Sequence, residues 1–289
     1  MKVGLYGIGV LGDALLSGWL GAGIAAEDVC GVEPDPDRAA SARAEHGIRT
    51  AGARQAAEHA DAVVLAVAPA ELPDLLDEIG DALDRDCVVL SLAAGVDTGL
   101  LEHRLPAGLA VVRAMPNTAV AARAGMSVIS PGANADEEHL LRAEQLLRPV
   151  GEVIRVPEDL QDAATALAGS APAYFYDIFD HLARAGAELG LPQDAALTMA
   201  VGAAHGAAAM IRFTGEPPGR LREAVATPGG TTRAALDALE RASVGRGVEQ
   251  AVHAAAHRSA ELGRALHAEH GPSRAGRPRP NPAAPEARR

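Results

Sequence analysis

The sequence predicts an α/β protein with two domains, an N-terminal domain built on a parallel, doubly wound sheet and an all-α C-terminal domain. The first half of the 289-residue chain alternates short apolar runs with polar, helix-like stretches, which is typical of βα units. The apolar runs lack strict alternation, as expected of strands buried on both faces. After Pro157 the apolar residues recur at helical spacing. We therefore predict a sheet domain over 1–157, a helical domain over 158–270 and a tail over 271–289.

The strands and helices of the N-terminal domain can be assigned in order. "KVGLYG" predicts the first strand, and the helix after it covers Asp13 to Gly21. "VCGVE" predicts the second strand, and its helix covers Pro36 to His46. Further strands are predicted at "DAVVLAVAP", "DCVVLSLAAG", "AVVRAMPN", "GMSVIS" and "VGEVIRVPEDL". Because strands and helices alternate, consecutive strands are expected to run parallel in one sheet.

The C-terminal domain is predicted to contain five helices, over 159–168, 172–189, 192–214, 220–226 and 231–266. Gly190 ends the second of these and Pro192 begins the third. The helices are rich in Ala and Gly, as in "AVGAAHGAAAM", and poor in large side chains. We expect such a domain to complete its core against a second copy, which predicts a homodimer. His205 lies in this stretch and is interpreted as a packed residue.

The bulk composition argues against several classes of protein. The 26 Lys and Arg residues against 38 Asp and Glu residues give a net charge of −12, which disfavours a nucleic-acid partner. No apolar run reaches the roughly 18 residues that span a bilayer, and no cleavable signal precedes the first strand. A cytoplasmic protein without a membrane partner is therefore expected. Cys30 and Cys87 lie in apolar strands and predict two reduced, buried thiols rather than a disulfide or a metal site.

The last segment, 271–289, differs from the rest of the chain. It contains five Pro and five Arg residues against one Glu, and it has almost nothing to bury. This composition predicts a disordered basic tail.

A glycine-rich motif follows the first strand directly. "GIGVLG" places Gly7, Gly9 and Gly12 at the spacing of a dinucleotide-binding turn, between a strand and the start of a helix. Gly7 allows the tight turn, Gly9 lets the backbone approach a pyrophosphate, and Gly12 lets the helix pack on the strand. Amides at the start of that helix then face the phosphates. The residues predicted to bind the cofactor here are Gly7, Ile8, Gly9, Val10, Leu11 and Gly12, and the domain is predicted to have a Rossmann fold.

An acidic residue ends the second strand. Glu33 lies 21 residues after Gly12, near the distance at which a carboxylate binds the adenosine ribose. Because a carboxylate there repels a 2′-phosphate, NADH is favoured over NADPH. Arg38 is the counter-argument, since its guanidinium is close enough in sequence to bind that phosphate. A solvated turn residue is the alternative interpretation of Glu33.

Three more loops lie at the carboxyl ends of predicted strands, where sheets of this type bind ligands. The loop "AVAP" covers Ala66, Val67, Ala68 and Pro69, and "SLAAG" contains Ala93 and Ala94. Their small residues and proline suit a flat nicotinamide ribose, and an ordinary strand-to-helix turn is the alternative interpretation of each loop. "RAMPNT" contributes Asn117 as a further cofactor-binding candidate, with a simple Asx turn as the alternative.

Five blocks of the sequence resemble the pyrroline-5-carboxylate reductase family. They are "GLYGIGVLGDAL", "SLAAGV", "RAMPNT", "TALAGSAPAYFYD" and "LREAVATPGGTTRAALDALE", and together they extend over nearly the whole chain except the tail. The resemblance implies a Rossmann domain and a helical domain that interlocks with a partner chain, in assemblies of commonly five dimers, a decamer. It also implies NAD(P)H-dependent reduction of 1-pyrroline-5-carboxylate to L-proline, which is a step of proline biosynthesis.

Two positions depart from the family pattern. Ala68 stands where the family usually has Lys before Pro, which removes a cation near the cofactor. Ala171 stands where the family usually has Gly in Gly-Ser-Gly-Pro, which adds a methyl group. Both changes leave room for a related reductase that acts on another cyclic imine.

The segment "TPGGTT" interrupts the helical domain and places two hydroxyls at the start of a helix. The amides of Gly229 to Thr232 are predicted to form an anion cradle for the carboxylate of an imino acid. The resemblance implies that Thr232 bonds the ring nitrogen, that Gly230 and Thr231 contact the carboxylate, and that Glu158 lies near the substrate. The alternative is an ordinary helix capped by the Thr227 or Thr231 side chain.

The sequence offers little for other chemistry. We find no Ser/His/Asp constellation and no metal-ligand spacing in the sequence. This agrees with an iminium substrate, because a protonated imine accepts hydride with little acid catalysis from the enzyme. A β-hydroxyacid dehydrogenase is disfavoured because such enzymes usually carry a catalytic lysine, and Lys2 is the only lysine in this chain. A non-catalytic dinucleotide-binding protein remains an alternative.

Overall fold

The structure is a computed structural model that describes residues 1–270, and the predicted tail lies outside the described residues. Its strands are β1 Val3–Tyr6, β2 Val29–Val32, β3 Arg49–Thr50, β4 Ala62–Leu65, β5 Val88–Ser91, β6 Ala110–Pro116, β7 Gly125–Pro131 and β8 Gly151–Arg155. Its α-helices are α1 Val10–Gly21, α2 Pro36–His46, α3 Ala53–Ala57, α4 Leu72–Ile79, α5 Thr98–Arg104, α6 Glu137–Leu147, α7 Gln161–Ala164, α8 Ala171–Glu188, α9 Gln193–Thr214, α10 Pro218–Val225, α11 Thr231–Arg241 and α12 Val244–His270.

The strands form one sheet in the order β3-β2-β1-β4-β5-β6-β7-β8. β1 pairs in parallel with β2 and β4, so that Leu5 lies opposite Gly31 on one side and Val64 on the other. The first six strands have the order of a doubly wound dinucleotide-binding domain, and this confirms the predicted fold class. β3 was not predicted from the sequence, because a strand of two residues is too short to show any period.

The chain packs as two compact units. The first comprises Met1–Ala114, Ile129–Pro149 and the described residues 260–270. The second comprises Met115–Val128 and Val150–Ser259. The domain boundaries predicted from sequence, at 157 and 270, stay a prediction.

The core of the first unit is aliphatic. All four residues of β1, β4 and β5 are buried, as the unbroken apolar runs predict. The largest core side chain is Trp19 of α1, whose indole N–H donates to the Leu146 carbonyl at 2.6 Å. Cys30 and Cys87 are free and buried, which confirms the prediction of buried thiols, and burial raises the pKa of both.

The second unit contains the predicted helices apart from residues 260–270 of α12, which belong to the first unit, and one prediction is corrected. The single helix expected over 231–266 is two helices, α11 and α12, separated by Ala242 and Ser243. Ser243 has φ of 55°, a left-handed conformation that ends a helix. Before α8, the chain makes a π-helical turn over Thr165–Gly169, with the Ser170 amide donating to the Thr165 carbonyl at 2.9 Å.

Small residues bring α8 and α9 close together, as expected. A Cβ on Gly186 would lie 2.8 Å from the Ala196 Cβ, so only glycine fits at this contact. In the single chain α9 buries just Ala196 and Ala200. His205, interpreted from sequence as packed, is exposed here, and that interpretation is not supported within one chain.

Among residues 1–270, α9 alone has the length and mean hydropathy, 1.2, of a membrane-crossing helix. It was not predicted from the sequence as a spanning helix, because Gly202, His205 and Gly206 interrupt its apolar run. One such helix is weak evidence of a membrane span, since core helices of soluble proteins pass the same test of length and hydropathy.

Candidate active site

The predicted glycine turn is a place where chain segments nearly touch. Gly7 has φ of +87°, and a Cβ on it would lie 2.7 Å from the Ala66 carbonyl oxygen. A Cβ on Gly12 would lie 2.0 Å from the Gly7 carbonyl oxygen. Only glycine satisfies both positions, so the turn closes tightly between β1 and α1.

Gly9 faces open space instead. It is the N-cap residue of α1, no side chain caps that helix, and a Cβ on Gly9 would meet no atom within 4 Å. The amides of the first turn of α1 therefore have no side-chain acceptor and can receive an anion. Val10 is 88% exposed at the same helix start, whereas Ile8 is buried and packs against Gly31.

Glu33 is bound to the glycine turn. Its carboxylate accepts hydrogen bonds from the Ile8 amide at 2.9 Å and the Asp35 amide at 3.0 Å. Its third partner is the Arg38 guanidinium at 2.9 Å, and the Glu33 side chain is only 3% exposed. From the sequence, Glu33 favours NADH and Arg38 favours NADPH, but in the structure the two side chains form one ion pair.

An open cleft of about 600 Å³ lies at the carboxyl ends of β1, β2 and β4. It brings together Gly7, Gly9, Glu33, Ala66, Val67 and Ala68 from the predicted set. Five further lining residues were not predicted from the sequence, namely Ala51, Gly52, Ala53, Leu75 and Glu78. Ala51, Gly52 and Ala53 could have been found from the sequence. Gly47 ends helix α2 in "HG", and this helix stop predicts that a new element begins at "IRT", just before these three residues.

The cleft is acidic. Glu33, Glu71 and Glu78 line it, against a single cation, Arg38. The Glu71 carboxylate accepts a hydrogen bond from the Ala68 amide at 3.2 Å, in the short 3₁₀ turn at Pro69–Glu71. A carboxylate thus lies beside the position where the family pattern has a lysine.

The loop after β5 carries the other predicted cofactor residues. Ala93 is buried and Ala94 is exposed, and Gly95 turns the chain with φ of +77°. The end of α12 holds this loop, because Leu266 packs against Gly95 and the His267 ring contacts the Asp97 carboxylate.

In the second unit, the loop between α10 and α11 contains the predicted substrate residues. The N-cap of α11 is Gly230, no side chain caps the helix, and its first backbone bond runs from the Ala234 amide to the Gly230 carbonyl at 3.2 Å. Neither Thr227 nor Thr231 makes the capping bond that the alternative interpretation required. Gly229 has φ of +71°, and Thr232 is half-buried. The first amides of α11 are therefore open to an acceptor.

Asn117 and Glu158 also lie in the second unit. The Asn117 side chain accepts from the Ala119 and Met126 amides and donates to the Ala168 carbonyl at 3.0 Å. These bonds fit the Asx-turn alternative, and its cofactor contact stays a prediction. Glu158 is half-buried and begins a short 3₁₀ turn. Within residues 1–270, no three His, Cys, Asp or Glu side chains are grouped as a metal site.

Two family models match the chain. "Pyrroline-5-carboxylate reductase dimerisation" matches residues 158–262, and "NADP oxidoreductase coenzyme F420-dependent" matches residues 2–95. The first region contains the uncapped α11 and the exposed α9. The second contains the glycine turn and the first part of the loop after β5, up to Gly95.

Similar proteins cover the chain almost end to end. A pyrroline-5-carboxylate reductase of Corynebacterium melassecola is 38% identical over 266 residues, 91% of this chain and 98% of the relative. A pyrroline-5-carboxylate reductase structure from Coxiella burnetii has a TM-score of 0.86 and 33% identity, covering 90% of this chain and 98% of that one. A Plasmodium falciparum pyrroline carboxylate reductase with NADP bound has a TM-score of 0.81 and 26% identity, covering 91% and 98%. The chain therefore belongs to the pyrroline-5-carboxylate reductase family of nicotinamide-dependent oxidoreductases, which associate through their helical region.

Proposed function

We propose that this protein reduces 1-pyrroline-5-carboxylate to L-proline with a nicotinamide cofactor, as a step of proline biosynthesis. The observation that carries the proposal is the uncapped start of α11 in "TPGGTT", within a chain that is similar to reductases of this substrate over 91% of its length. A helix start with free amides is suited to an anion, and the proposed substrate has one carboxylate.

The first unit fits a dinucleotide. The turn from Gly7 to Gly12 offers free amides at the start of α1, and the open side of Gly9 lets a pyrophosphate approach the backbone. The small side chains of Ala66–Ala68 and Ala93–Ala94 leave room for the nicotinamide ribose. When bound, the cofactor supplies the hydride that is added to the C=N carbon.

The second unit provides the groups for the imino acid. We assign the carboxylate to the loop of Gly229, Gly230 and Thr231, where the Gly229 and Thr231 amides donate to it while the Gly230 amide donates to the Thr227 carbonyl. The ring nitrogen is assigned to the Thr232 hydroxyl. We place the Glu158 side chain near the ring of the imino acid. Because the imine can arrive protonated, its carbon is already electrophilic, and the main contribution of these groups is to hold the ring in place. Thr232 is the one side chain to which we assign a hydrogen bond with the reacting group.

We further propose that NADH is preferred over NADPH. Glu33 is held at the end of β2, and its partner Arg38 is engaged with both Glu33 and Asp35. Arg38, the cation that would bind a 2′-phosphate, is thus already paired with two carboxylates. The carboxylates of Glu71 and Glu78 add to the negative charge of the cleft. An extra phosphate is disfavoured in such a site.

The protein is proposed to be a cytoplasmic homodimer, or a larger assembly of dimers such as a decamer. The exposed apolar side chains of α8 and α9 support association of the helical region. Light scattering at micromolar concentration tests this proposal, and a monomeric mass contradicts it.

The deciding experiment is a reductase assay of the purified protein with 1-pyrroline-5-carboxylate and either NADH or NADPH. We expect turnover with both cofactors and a higher kcat/KM with NADH. Six-membered cyclic imino acids are assayed in parallel, because Ala68 and Ala171 depart from the family pattern. Turnover of another imine alone identifies a related reductase, and NADH binding without any turnover identifies a non-catalytic protein.

A further inference from the structure

The loop that we assign to the substrate carboxylate is short and lies between two helices. Two backbone bonds shape it, from the Ala226 amide to the Glu223 carbonyl at 3.2 Å and from the Gly230 amide to the Thr227 carbonyl at 3.0 Å. Ala226 is buried, while Thr227 to Gly229 are exposed. Most of the loop therefore has little packing to fix its direction.

One ion pair connects the two helices across this loop. The Arg233 Nη2 of α11 donates to the Glu223 Oε2 of α10 at 2.6 Å. The hydrogen bond and charge of Arg233 lower the pKa of the Glu223 carboxyl below its ordinary value. The two residues are ten positions apart, and the whole loop lies between them.

The position of Arg233 is unfavourable for the helix itself. It is the third residue of α11, in the first turn, where the helix dipole favours acidic side chains and disfavours cations. The pair is also exposed, with 35% of the Arg233 side chain and 55% of the Glu223 side chain accessible. Pairs of this kind contribute little to the free energy of unfolding. Helix stability therefore gives no reason for an arginine here, whereas loop geometry does.

We propose that Glu223 and Arg233 are positioning residues that fix the loop so that the first amides of α11 converge on the substrate carboxylate. This inference rests on the proposed function. The pair does not touch the substrate, and it acts by holding the end of α10 against the start of α11.

The test is steady-state kinetics of the full-length protein with Glu223→Gln. We expect the KM for 1-pyrroline-5-carboxylate to rise about three- to fivefold, since an exposed pair is lost, while kcat changes less than about twofold. The KM for NADH and the thermal midpoint are expected to stay at the wild-type values. The double variant Glu223→Arg with Arg233→Glu restores the pair with reversed charges and is expected to recover most of the KM.

Arg222→Gln is the matched control. Arg222 lies on the same helix and contacts the same carboxylate, at the longer distance of 3.5 Å, but it does not cross the loop. We expect wild-type kinetics from it. An unchanged or lowered KM in Glu223→Gln overturns the positioning role, and so does a double variant with no recovery. If the wild-type protein itself fails to reduce the imine, the proposed function is wrong and this inference is lost with it.

Discussion

Gly9→Ala separates folding from dinucleotide binding. Gly9 has φ of −77° and ψ of −167°, an extended conformation open to alanine, and the added Cβ meets no atom within 4 Å. We therefore expect a thermal midpoint within about 2 °C of wild type. A pyrophosphate against this backbone would meet the methyl group, and overpacking of this kind costs about 1–3 kcal/mol. The expected loss of NADH affinity is about 5- to 150-fold.

The assay is calorimetric titration of each purified variant with NADH, without the imine. Gly12→Ala is the contrasting variant, because its Cβ would lie 2.0 Å from the Gly7 carbonyl oxygen, and it is expected to lower both affinity and thermal midpoint. Gly219→Ala is the neutral control, since its Cβ enters open space in α10. Wild-type NADH affinity in Gly9→Ala, with an unchanged midpoint, would refute the placement of the dinucleotide on this turn.

Three further predictions concern single side chains. Thr232→Ala is expected to lower kcat/KM by roughly 10- to 100-fold, because the loss of one hydrogen bond to a charged centre costs about 1.4–2.7 kcal/mol. Thr232→Ser is expected to retain most of the activity. An unchanged kcat/KM in Thr232→Ala removes Thr232 from the mechanism. Glu33→Ser removes one of the two carboxylates that hold Arg38 and leaves only Asp35, so it is expected to reduce the NADH-over-NADPH ratio of kcat/KM by about tenfold. A ratio equal to wild type rules out the ribose assignment. Burial raises the pKa of Cys87 to about 12 from the ordinary 9.0, so the stability linked to its protonated thiol is complete below pH 9.0 and is lost as the pH rises toward 12. Urea unfolding across that range should therefore show a smaller pH slope in Cys87→Ala, and equal slopes would exclude this residue as the cause.

The fold was predictable because its signals are local. The apolar runs of β1, β4 and β5 are buried in full, and the motif from Gly7 to Gly12 lies between strand and helix as its spacing requires. β3 was missed because two residues carry no periodicity. The break at Ser243 was missed because "ERASVGRG" has no proline, and its glycines come after the break.

The site was predictable only in outline. Spacing from Gly12 pointed to Glu33, but the bonds of its carboxylate to the Ile8 amide and to Arg38 depend on how β2 lies beside β1. Likewise, "TPGGTT" indicated a helix start, and only the structure shows that no side chain caps it. Tertiary contacts of this kind leave no trace in composition or period.

The aromatic side chains on the helical unit have a consequence for handling the protein. Phe175, Tyr176 and Phe213 are 54%, 61% and 85% exposed in one chain. If these side chains become buried only against a second copy of the chain, the free energy of unfolding depends on protein concentration. The melting temperature then increases as the concentration increases. Dilute stocks then lose activity because the copies dissociate, without covalent damage to the chain, and concentrating the protein again restores the activity.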